Sequence, residues 1–215
     1  MKKAIVSVYF GSRDTASMDL LDAALSGAFP DYSIHRAFLC RHIPGAPILE
    51  TVLQSLEGYD EICLQAMLVS RGPTFAQLIQ RANGLPVGAP LLDSAADCGK
   101  ILADWLPKPL VLMAHGADGL DLTAVSQAMP EGVWFAAMEG KPSLDSILPQ
   151  LAGQQLHLAP LLLTSGYHTE KDLTLWQRRL EAAGCTVTVH AQSLAHCPQI
   201  GQIFVRHLRE RKDDV

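Results

Sequence analysis

The sequence is poor in charge. Charged side chains make up 18% of its 215 residues, and 17 Lys and Arg against 22 Asp and Glu leave a net charge of -5. That balance offers no basic stripe for a polyphosphate, so no nucleic-acid partner is expected. Long apolar runs are missing as well. The start, MKKAIVSVYFGSRD, has two lysines and a short apolar stretch, but Ser7, Gly11 and the charges that follow deny it a signal-peptide cleavage pattern or a membrane span. Neither a Walker loop nor a G-x-G-x-x-G stretch is present, so nothing points to ATP or to a dinucleotide. The five cysteines (Cys40, Cys63, Cys98, Cys185, Cys197) are odd in number and contain no C-x-x-C. A disulfide framework and a zinc knuckle are therefore not indicated, and reduced thiols in a cytoplasmic protein are expected.

What the chain does have is hydrophobic residues, 48% of the total, in short runs that alternate with amphipathic segments. KAIVSVYF, YSIHRAFL, EICLQAMLV, LPVGAPLL, PLVLMAH, VWFAAME, QLHLAPLLLT and TVTVHAQSL have strand length. ILETVLQSL puts Leu49, Val52, Leu53 and Leu56 on one helical face, and TFAQLIQRANG does so with Phe75, Leu78, Ile79 and Ala82 before Gly84. KPSLDSILPQLAG aligns Leu144, Ile147, Leu148 and Leu151, with Pro142 in a first-turn position. Such alternation predicts an α/β protein of parallel sheets covered by helices.

The pattern also repeats. KAIVSVYFGSRD answers to PLVLMAHGADG, EICLQAMLVSRGPTFAQLI to QLHLAPLLLTSGYHTEKDL, and GLPVGAPLL to GCTVTVHAQSL. The offset is about a hundred residues, the size of a small domain. Two similar Rossmann-like βα domains with a cleft between them are expected. LPKPL marks the boundary, giving domains at 1–107 and 108–215, with the final helix able to cross over onto the first.

Comparison of the halves singles out polar residues. His115 stands where the first half has Phe10, each before a glycine, and His168 stands where it has Thr74. Glu139 likewise closes an apolar strand before a glycine. Ligands of open parallel sheets collect beyond the carboxyl ends of the strands, where all three lie. Two imidazoles and a carboxylate suit a borderline divalent ion such as cobalt, nickel, iron or zinc, with coordination positions left open. The bland alternative for each is a loop cap or a hydrogen bond to a backbone carbonyl. His190, His196 and Cys197 lack a recognised ligand spacing and read as core or loop residues, and RHLRERKDD reads as a solvated helix end.

MAHGA, AAMEGKPSLDSIL and HLAPLLLTSGYHTEKDL, together with MKKAIVSVYFGSRDT and HRAF, resemble the anaerobic sirohydrochlorin cobalt chelatases of cobalamin biosynthesis. These belong to the class II chelatases, which include ferrochelatases and share a two-domain βα fold. The likeness covers nearly the whole chain. It implies insertion of Co²⁺ into sirohydrochlorin with release of two protons, no nucleotide, and no cofactor beyond the substrate metal. His115 would take the pyrrole protons, a task suited to imidazole. Glu139 and His168 would hold the metal beside it, with Glu139 also relaying protons.

Phe10, Arg13, Leu68 and Thr74 would line the tetrapyrrole site. Arg13, Arg36, Arg41, Arg71 and Lys141 are candidates to pair with its carboxylates, or else ordinary surface charges. Two departures stand out. The chain is shorter than the chelatases it most resembles, and Leu68 stands where longer members carry histidine. Insertion of iron or nickel into a related macrocycle, or carriage of metal or tetrapyrrole without catalysis, remains open on the sequence, as does assembly into a homo-oligomer.

Overall fold

The computed structural model describes residues 1–40 and 45–213, with the side chains of 167–169 and 212–213 outside that description. The chain forms two compact units, 1–93 with 195–215, and 94–194.

In the first unit β1 (Lys3–Tyr9), α1 (Thr15–Ala28), β2 (Ser33–Phe38), α2 (Leu49–Ser55), β3 (Glu61–Met67), α3 (Pro73–Arg81) and β4 (Val87–Gly88) build a parallel sheet in the order β2-β1-β3-β4. Strand alternation sends Ala4, Val6, Val8, Leu64 and Ala66 to one face. There they form a core with Leu49 and Val52 of α2 and Phe75 and Leu78 of α3. Asp14 starts α1, its carboxylate accepting the Ser17 N–H at 3.1 Å, which satisfies a donor the helix itself leaves open.

The second unit contains α4 (Ala95–Trp105), β5 (Leu110–Asp121), α5 (Thr123–Gln127), β6 (Val133–Lys141), α6 (Leu144–Leu151), β7 (Gln155–Pro160), α7 (Tyr167–Ala182) and β8 (Thr186–Val189). Its sheet, β6-β5-β7-β8, is again parallel and has the same winding. Val111, Met113, Ala136, Leu156 and Leu158 face Leu144, Ile147, Leu173 and Trp176 of α6 and α7.

The units part at Asp93 and Ser94, where the sequence places a boundary at 107 and 108. Helix α4 goes with the second unit because Gly99 gives it close packing: a side-chain carbon there would meet Met129 Sδ and Pro130 Cδ at 2.8 Å. Helix α6 starts at Leu144, so Pro142 precedes it, and the Pro142 carbonyl accepts the Ala137 N–H instead.

The final helix, α8 (Pro198–Asp213), belongs to the first unit. The tail is solvated on one side only. Ile200, Ile203, Phe204, His207 and Leu208 are buried, and His207 Nδ1 donates to the Ala89 carbonyl at 3.1 Å. Burial holds the His207 pKa below its ordinary 6.5, against the hydrogen bond to Ala89. The unfolded chain therefore binds more protons than the folded one as pH falls through that range, and the stability due to neutral His207 is present above it and lost below. Thermal melts should show a falling midpoint between about pH 7.5 and 5.5, with a shallower slope in His207→Gln. An unchanged slope in that variant would contradict the assignment.

Candidate metal centre

The two sheets can be superposed by register. Ile5 pairs with Cys63 in the first, and Leu110 pairs with His157 in the second. Matching the starts of β3 and β7 sets Cys63 with His157, hence Ile5 with Leu110, Phe10 with His115 and Thr74 with His168. The β1–β2 and β5–β6 registers set Ile34 with Val133, and so Cys40 with Glu139. Local backbone agrees, since Phe38 N–H bonds to Pro47 O and Ala137 N–H to Pro142 O at the same place in each unit. Cys40 as the counterpart of Glu139 escapes a reading of the sequence, because no motif connects HRAFLC with FAAMEG.

His115 does not end its strand. Pairing of β5 with β7 stops at Met113 opposite Pro160, but pairing with β6 continues through Gly116 opposite Glu139 to Asp121 opposite Lys141. Beyond His115 the sheet has thinned to a bulged two-stranded ribbon. Gly116 has φ +73° and Gly140 φ +95°, and both lie against backbone. A side-chain carbon would come to 1.9 Å from Glu139 O at Gly116 and 2.3 Å from Leu120 O at Gly140. Only glycine fits such positions. The ribbon brings the exposed residues His115 and Glu139 to within one step of register.

His115 Nδ1 lies 3.2 Å from Gly116 O. A carbonyl only accepts, so this contact places the proton on Nδ1 and leaves the Nε2 lone pair for an ion or a proton. His168 is the second residue of α7, and its side chain lies outside the described residues. Among the described residues no group of three His, Cys, Asp or Glu side chains could hold a metal.

The residues expected to line a substrate site separate by environment. Phe10 follows β1 and is 53% exposed. Arg13 is exposed before α1, and Thr74 is half-buried in the first turn of α3. Leu68 is 8% exposed, and its side chain packs in the first core.

Of the cationic candidates, Arg36 is held by Asp19 and Asp22 and stacks over Tyr9. Its partner Asp22 also accepts the Tyr9 hydroxyl at 2.9 Å, and burial first, then that carboxylate, keeps the phenol protonated. Arg71 is held bidentately by Asp93 over Phe75. Both guanidinium groups are engaged within the protein. Lys141 is exposed at the end of β6, and Arg41 lies outside the described residues.

A family model described as cobalt chelatase (CbiK) matches residues 3–213. The sirohydrochlorin cobaltochelatase of Salmonella typhimurium is 28% identical over 257 residues, covering 98% of this chain and 96% of that protein. Two solved structures share the fold. SirB from Bacillus subtilis with Fe³⁺ has a TM-score of 0.67 at 18% identity, with 98% of this chain and 96% of that one covered. The sirohydrochlorin chelatase SirB from Bacillus subtilis subspecies spizizenii, in complex with cobalt, has a TM-score of 0.65 at 18% identity, with 100% and 97% covered. The winding of both sheets and the match along 3–213 lead to one conclusion: the chain belongs to the cobalt chelatase (CbiK) family.

Proposed function

We infer that the protein inserts Co²⁺ into sirohydrochlorin without nucleotide, and that the carboxyl end of the second sheet is where it does so. The observation that carries the reading is the β5–β6 ribbon that presents exposed His115 and Glu139 one step of register apart, in a chain that matches the cobalt chelatase family from 3 to 213. The ion is substrate, and two pyrrole N–H protons leave as it enters the macrocycle.

The chain's own groups divide that task. Glu139 supplies charge to the incoming dication, and His168 supplies a second donor from the first turn of α7. With Nδ1 turned to Gly116, His115 has one lone pair, so it cannot ligate the ion and accept a proton at once. As the ion passes to the macrocycle, Nε2 is released to take the two pyrrole protons one after the other. Glu139, exposed one step of register away, passes each proton to water before the next is taken. None of the five cysteines forms a disulfide, which favours a reducing cytoplasm as the place of action.

Supplying the purified protein with sirohydrochlorin and Co²⁺, Fe²⁺ or Ni²⁺ in turn, and following the macrocycle absorbance, tests the choice of metal. The rate should exceed the spontaneous one most with Co²⁺. A larger enhancement with Fe²⁺ or Ni²⁺ would replace cobalt as the substrate metal.

Phe10 gives a second handle. An exposed aromatic ring at the carboxyl end of the first sheet suits stacking on a planar macrocycle. Phe10→Ala should weaken sirohydrochlorin binding and leave cobalt affinity unchanged, whereas His168→Ala should do the reverse. Calorimetric titration with each ligand separately checks both halves of that statement, and loss of cobalt by Phe10→Ala would contradict it.

A further inference from the structure

His157 and His190 form a cluster that the insertion site does not use. His157 lies on β7, opposite Leu110 at the start of β5, and His190 follows the last residue of β8. Their facing nitrogens, His157 Nδ1 and His190 Nε2, are 2.9 Å apart, and their ring centroids 5.1 Å. From Leu110 to His115 is about 16 Å at the rise of a strand, so the pair lies well back from the carboxyl end. In the sequence His190, His196 and Cys197 lie close together but lack a ligand spacing. In the fold Cys197 instead turns its thiol to Gln199 Oε1, and His190 meets a histidine distant in sequence.

We propose that His157 and His190 are the protein ligands of a second binding site for a borderline divalent metal ion of the cobalt, nickel or zinc type. Imidazole nitrogens bind such ions at about 2.0–2.1 Å, and two of them at right angles on one ion lie about 3 Å apart. The observed separation already has that value, so the two nitrogens need not move apart, and the rings have only to turn their lone pairs to a common point. In the free protein one ring donates its N–H to the lone pair of the other. When an ion enters, the donor ring moves its proton to its remaining nitrogen, both lone pairs turn to the metal, and no proton is lost overall. Both rings are half-buried, His157 on inner strand β7 and His190 just past edge strand β8, which leaves water to complete the coordination sphere. Burial, and then the neighbouring His157, keep His190 below the ordinary imidazole pKa, so the form that binds metal prevails near neutral pH.

The site does not depend on the insertion reading, and its test removes that site first. In the full chain carrying His115→Ala and His168→Ala, Co²⁺ alone should still bind, one ion per chain, with visible absorption bands from imidazole coordination. Adding His157→Ala or His190→Ala should abolish those bands and the calorimetric signal. A parallel measurement on the unsubstituted protein needs no variant to fold. Paramagnetic Co²⁺ should broaden the side-chain NMR signals of His157 and His190 together with those of His115. Binding that survives His190→Ala undiminished, or imidazole signals at 157 and 190 that stay sharp at saturating Co²⁺, would overturn the proposal and leave the pair a structural hydrogen bond.

Discussion

His115→Ala should reduce cobalt insertion by about 10² to 10⁴ in rate, the usual contribution of one positioned proton acceptor, with any lost metal binding added to that. The fold should survive, because His115 is exposed where the sheet has thinned and belongs to neither core. The Gly116 carbonyl loses only a contact that water can replace. Steady-state rates from the macrocycle absorbance, beside circular dichroism of the same sample, measure the two effects separately. Turnover within a few-fold of the parent protein would remove His115 from the mechanism.

Gly116→Ala should also be severe, though it deletes no chemical group. The position has φ +73°, where an L-residue costs about 1–2 kcal/mol, and the added carbon would lie 1.9 Å from Glu139 O. The two strand ends must then separate, and they carry His115 and Glu139. A misplacement of about 1 Å at reacting groups can cost on the order of 10²-fold in rate. Gly119→Ala is the control, since it has φ +71° but nothing within 4 Å of the added carbon. It should lower the melting temperature while sparing most of the rate. Equal losses in the two variants would mean that backbone strain alone, not the closeness of the ribbon, determines activity.

The sequence carried the architecture well because its signals are local. Periodicity in KAIVSVY, EICLQAM and QLHLAP predicts β1, β3 and β7, and the repeat predicts the shared winding of the two sheets. Two features needed three dimensions. The continuation of β5 past His115 runs through Gly116 and Gly119, residues that in a sequence signal a turn; here they signal a bulge against β6. The membership of α4 and α8 depends on packing partners such as Met129 and Ala89, which no window of sequence contains.

Of the candidate site, the sequence marks positions and not surroundings. The asymmetry between halves marks His115 and His168, a strand end before a glycine marks Glu139, and the register places their counterparts at Phe10, Thr74 and Cys40. Side-chain environment was not legible. Leu68 and Arg36 sit in positions suggestive of ligand contact, yet one is core and the other is locked by Asp19 and Asp22. The His157–His190 pair joins residues 33 apart on adjacent strands, a closeness created only by the β7–β8 register.

The central claim is catalysis of cobalt insertion, and a multiple-turnover measurement tests it most directly. Sirohydrochlorin and Co²⁺ are supplied in large excess over the protein, without nucleotide, and cobalt-sirohydrochlorin is followed by absorbance. The account predicts many equivalents of product per chain, at an initial rate proportional to protein concentration and well above the protein-free control. A single equivalent per chain, or a rate no greater than the control, would make the protein a carrier and contradict the account.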